Sequence, residues 1–155
     1  ENARVETVSG SSLVLLVPGK HISRDDAGKL LTGSGLEFYH LRNAATARHP
    51  ERPWRVRVPS RAMASYVFEG PGKQRLDSRN DSERVLSEVV GSSRRPMLTG
   101  EDIRPNAIAS QVGSGWAVSV EFTEAGAREF HRFTHDNRGE YLAVFYDGIL
   151  ISHRR

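Results

Sequence analysis

Cysteine is absent from this 155-residue chain. That removes disulfides, thiolate metal sites and a cysteine nucleophile together. It leaves the compartment open, because periplasmic and cytosolic domains both manage without the residue. Long apolar runs are missing too. Leu13 to Val17 is a run of only five, whereas a bilayer-spanning helix needs about 20. No signal-peptide pattern is present, and the first residue is Glu1. The expectation is a trimmed chain from which a signal or anchor has been removed upstream.

What is present is ordinary for a folded domain: 37% hydrophobic and 26% charged residues. A chain of this length buries about two-thirds of its unfolded surface and can hold a core without staples. The net charge of +3 is unevenly placed. Arg42 to Arg95 carries twelve basic and six acidic residues, and the rest carries ten basic and thirteen acidic. A basic middle suits nucleic acid or anionic headgroups. Without a nucleic-acid motif, a solvated arginine-rich surface is the simpler reading.

The pattern alternates strands and helices. Ser12 to Val17 reads as a strand covered on both faces, ended by a Pro18-Gly19 turn. Ser23 caps an expected helix over Arg24 to Thr32, with Asp25 and Asp26 at its positive end. Gly35 to Arg42 reads as a strand with Leu36, Phe38 and His40 on one side and Glu37, Tyr39 and Leu41 on the other. In the middle, Arg55 to Val58 and Met63 to Phe68 suggest short strands, and Gly70-Pro71-Gly72 a loop. Asn80 is placed to cap a helix over residues 81–90, with Glu83 returning the bond.

The last third is the most regular. Ile108 to Val112 and Trp116 to Phe122 read as strands about a Gly113-Ser114-Gly115 turn. Thr123 caps a helix from Glu124 to about Asn137, with Ala127, Phe130, Phe133 and Thr134 on one face. Tyr141 to Tyr146 and Ile149 to Ser152 flank Asp147-Gly148, a two-residue hairpin signal.

Candidate sites are weak. His131 and His135 stand four apart on a helix. They lack a third ligand and the intervening glutamate of a zinc motif, and Arg132 beside them repels a cation, so two solvent-side histidines are expected. Asp147 is a turn residue because Gly148 follows it. Ser11-Ser12 and Ser92-Ser93 have no nucleophile elbow. Pro71-Gly72-Lys73 lacks the phosphate-cradling pattern. Trp54 beside Arg55-Val56-Arg57-Val58 is the best nucleic-acid-like patch, but single-strand binders use several stacking aromatics. No catalytic, cofactor or metal site is expected.

One run of residues carries a resemblance. Leu98-Thr99-Gly100-Glu101-Asp102-Ile103 is followed by Phe122-Thr123-Glu124-Ala125-Gly126-Ala127, Phe130, Phe133-Thr134 and Gly139. Leu142-Ala143-Val144, Asp147-Gly148 and Ile151-Ser152 complete it. This order resembles the first periplasmic domain of SecD, including the SecD half of fused SecDF proteins. The early segment is similar to the base of that domain through Val17-Pro18-Gly19, Ala27, Leu30, Leu31 and Gly35-Leu36-Glu37-Phe38.

The resemblance implies an α+β fold: a ferredoxin-like base fragment, and a head lobe with one helix packed on an antiparallel sheet. The expected division is a base-like strand–helix–strand over 1–42, an Arg-rich middle over 43–96 and a head-like lobe over 97–155. The function implied is non-enzymatic and extracytoplasmic: assisting protein translocation by weak binding of unfolded preprotein, beside Sec translocon subunits. Such a lobe would be tethered to the inner membrane in a full-length protein. No nucleic acid is expected as a partner. Trp116 and Tyr146 are the aromatic candidates for preprotein contact, set against a reading as ordinary sheet residues. The alternative is a free-standing secreted or periplasmic module of unknown ligand that shares only the fold.

Overall fold

A computed structural model describes residues 4–9, 12–18, 35–57, 66–78, 80–91, 95–106, 108–112, 115–146 and 148–154. The expected helix over 24–32, Ser92-Ser93 and Asp147 lie outside them. Among the described residues eleven strands are β1 (Arg4–Ser9), β2 (Ser12–Pro18), β3 (Leu36–His40), β4 (Arg55–Arg57), β5 (Val67–Glu69), β6 (Arg75–Asp77), β7 (Leu98–Thr99), β8 (Ile108–Val112), β9 (Gly115–Glu121), β10 (Leu142–Tyr146) and β11 (Ile149–Arg154). Helix α1 starts at Ser82–Arg84 and continues as a π-helical turn over Val85–Val90. Helix α2 is Glu124–Asp136.

Among the described residues the strands form three antiparallel sheets, ordered β1-β2-β9-β8, β11-β10-β3-β7 and β4-β5-β6. The α+β expectation holds, with α2 on an antiparallel sheet. Strands from the first 42 residues join those of the last third: β2 pairs with β9, and β3 with β10.

The β11-β10-β3-β7 sheet is covered on both faces. On one, Phe38, Phe122 and Phe130 form a chain of rings at 6.0 and 5.0 Å, and Phe133 meets His40 edge-on at 5.1 Å. Phe130 and Phe133 come from α2, so the stripe at helical spacing brings it down on the sheet. Ala127 is half-buried and Thr134 exposed, and Gly126 is buried in their place. On the other face, Tyr39, Leu41, Ala143 and Phe145 join a cluster with Trp54, Phe68, Leu76, Val85 and Val89. The middle segment therefore contributes a second covering layer of α1 and the three short strands.

Three details differ from the sequence expectation. Asp81, not Asn80, is the N-cap of α1, and it makes no side-chain cap bond; its carboxylate accepts from Asp77 N at 2.8 Å. The helix then widens into a π-turn. Asn43 takes up the freed carbonyls, with its amide nitrogen donating to Val89 O at 3.1 Å and its side chain to Glu88 O at 3.0 Å. Leu98-Thr99-Gly100-Glu101-Asp102 makes a short strand and a one-turn 3-10 helix. There Thr99 and Asp102 cap each other's backbone.

Candidate functional site

Three residues from 40–52 meet Glu140 just past the end of α2. Glu140 follows the Gly139 turn (φ 79°) that ends the helix, and its side chain is only 6% exposed. Arg52 grips it with a two-point fork: Nη1 to Oε2 at 2.9 Å and Nη2 to Oε1 at 3.2 Å. His40, at the end of β3, places Nε2 on Oε2. His49 Nε2 stands 3.4 Å from Oε1. An ionised carboxylate can only accept, so Nε2 of neutral His40 carries the proton.

Electrostatics follow from this packing. Burial opposes a charge on Glu140, but the hydrogen bonds from Arg52 and His40 outweigh it and hold the carboxyl below its ordinary value. Burial pushes the His40 imidazole down, helped by the Arg52 and Arg42 charges and resisted by Glu140. The cluster fastens the loop carrying His49 and Arg52 to the sheet. Leu41 N donating to Tyr141 O at 3.0 Å is a backbone tie beside it. Arg52 also reaches Ala44 O at 3.5 Å and His49 Nδ1 reaches Glu51 at 3.2 Å, so the cluster ties the loop to itself as well as to Glu140.

His40 also lines a groove of about 720 Å³. One wall is the end of β3 with His40 and Arg42. The second is the segment entering β7, with Arg95, Pro96 and Met97. The third is α2, with Glu129, Arg132 and Phe133. Arg42, Arg95 and Arg132 are exposed. Arg132 Nη2 donates to Glu129 Oε1 at 2.7 Å. A second basic concavity of about 530 Å³ is lined by Arg52, Arg55, Lys73 and Arg75 around Glu69.

The candidates read from sequence fall elsewhere. Trp116 lies on β9, in register with Val17 and Gln111. Tyr146 ends β10, in register with Leu36 and Ile149. They belong to different sheets. His131 and His135 are exposed on α2, with rings 6.4 Å apart and stacked. Among the described residues no group of three or more His, Cys, Asp or Glu could hold a metal ion. Trp54 is 4% exposed in the core, so it offers no stacking face beside Arg55 and Arg57. Sequence reading missed Glu140, Arg52 and the groove. The excess of basic residues between Arg42 and Arg95 was the one signal pointing there, since it supplies two of the groove's three arginines.

Among the described residues no helix is long and apolar enough to cross a membrane. No curated protein and no solved structure matches the chain. One family does match, over residues 74–154: the SecDF P1 head subdomain. The match spans more than half of the sequence and takes in α1, α2 and the paired strands β8–β9 and β10–β11. That family is a component of protein export, extracytoplasmic in a membrane protein associated with the Sec translocon. The chain belongs to the SecDF P1 head subdomain family.

Proposed function

We propose that this chain is a non-enzymatic extracytoplasmic lobe that assists translocation by weak, reversible binding of unfolded preprotein. It would be held at the inner membrane by the rest of a full-length protein. The observation that supports the reading is the open edge at β8. Among the described residues that strand pairs on one side only, with β9. It carries Ile108, 57% exposed and, among the described residues, the large hydrophobic side chain most open to solvent. An extended chain can add to such an edge through main-chain hydrogen bonds, which do not read sequence. An apolar side chain beside the edge gives tolerant extra contact. Trp116, on the neighbouring strand, is proposed to share in that contact, and Tyr146, on the other sheet, is proposed as a separate aromatic contact.

Fluorescence anisotropy with a labelled, unfolded secretory segment tests this. Weak saturable binding is expected, reduced several-fold by Ile108→Asp and by Trp116→Ala. No binding at high micromolar chain would overturn the reading.

A further inference from the structure

The basic groove beside α2 has a chemistry that the open β8 edge lacks. Its rim carries the guanidinium groups of Arg95 and Arg132, with Arg42 beside them, and among the described lining residues one carboxylate, that of Glu129. Its apolar lining includes Met97 and Phe133. His40 adds no positive charge at neutral pH, since burial lowers its affinity for protons and Glu140 takes its N–H. A ligand that fits must bring negative charge to the rim and apolar surface to the lining.

We infer that this groove binds acidic stretches of extended polypeptide, those with aspartate or glutamate next to an apolar side chain. The inference rests on the reading that the lobe contacts unfolded chain, and it adds a preference to it. Three features favour a peptide. A carboxylate matches the planar guanidinium fork in two-point geometry. The site is a concave groove of about 720 Å³, the size of a small-ligand or side-chain pocket rather than a flat face for a bilayer. Among the described lining residues Phe133 is the one carbocyclic aromatic, whereas single-stranded nucleic acid would use a stacked series. Glu129 already occupies Arg132 at 2.7 Å. An incoming carboxylate would displace it, so Glu129 acts as a built-in competitor that keeps binding weak.

That competition supplies a test that misfolding cannot imitate. Two labelled peptides of equal length and apolar content are titrated against the chain, one with glutamates and one with glutamines at the same positions. The acidic peptide should bind several-fold tighter, and the advantage should fade as salt is raised. Arg95→Gln and Arg132→Gln should each weaken it by about three- to fivefold, the range of exposed charge pairs. Glu129→Gln should strengthen it by about twofold. The glutamine peptide should be indifferent to all three changes. Equal binding of both peptides, or no response to Glu129→Gln and Arg132→Gln, overturns the acidic preference while leaving weak chain binding intact. Failure of every peptide to bind overturns the proposed function itself. Binding to vesicles containing anionic lipid, with no response to the acidic peptide, would reassign the arginines to a membrane and also overturn the inference.

Discussion

The two ends of α2 are fastened to the body by different physics. At its start, contact is close and uncharged. Thr123 Oγ1 accepts from Gly126 N at 3.1 Å, and Thr123 N donates to Asp102 O at 2.8 Å. Gly126 lies so near the Glu101–Asp102 turn that a Cβ there would stand 2.6 Å from Asp102 O. At the other end the chain turns through Gly139 and buries Glu140 among Arg52, His40 and His49. The first attachment depends on fit and the second on charge. Fit is indifferent to pH, whereas charge held out of water is stable only while it is matched.

The largest effect should come from breaking the charged end. Glu140→Ala leaves the Arg52 fork and the His40 N–H without their acceptor, and should cost about 3 kcal/mol in urea unfolding. Acid should sharpen the contrast. Glu140 is held below its ordinary carboxylate value, so its contribution is whole above about 4.5 and disappears as pH falls through its folded value. His40 is held below 6.5, so the unfolded chain takes up that proton first. Stability should therefore drop as pH falls from about 6.5, and drop again below the usual glutamate range. Glu140→Gln should remove the lower step; an unchanged acid profile would show that the cluster is not the seat of the effect.

At the close-packed end, Gly126→Ala should cost about 1–2 kcal/mol. The clash with Asp102 exceeds the gain in helix propensity. Its cost should be the same at neutral pH and in mild acid, unlike that of Glu140→Ala. Thr123→Ala, which removes the cap, should cost about 1 kcal/mol. The smallest effect belongs to the solvent face of α2. Arg128 reaches Glu124 at 3.4 Å with both side chains well exposed. Arg128→Ala should stay within about 0.5 kcal/mol.

The close-packed end was legible in the sequence and the charged end was not. Thr123, Glu124 and Gly126 are neighbours whose spacing announces a capped helix start. The hairpin formed by β10 and β11 is announced as clearly by Asp147-Gly148, and Gly148 takes a positive φ of 78°. The short strands β6 and β7 and the early strand β1 went unread, because two to six residues of mixed polarity carry no usable period. The π-turn of α1 was hidden for another reason. Its register depends on Asn43, more than forty residues earlier, accepting the role of donor to its last carbonyls.

By itself the sequence determined local geometry and family: where α2 begins, how the last hairpin turns, which residues face a core, and the ordered run shared with the SecDF P1 head. Those properties arise from residues within a few positions of one another, where backbone preference and side-chain period act directly. Only the tertiary structure decided that His40 and Arg52 should share Glu140, 100 and 88 residues away respectively. It also decided that Arg42, Arg95 and Arg132 should ring one groove. No local rule encodes such meetings, because they follow from strand pairing across the whole chain. The charges come together because β3 pairs with β10 and α2 packs on the sheet those strands share.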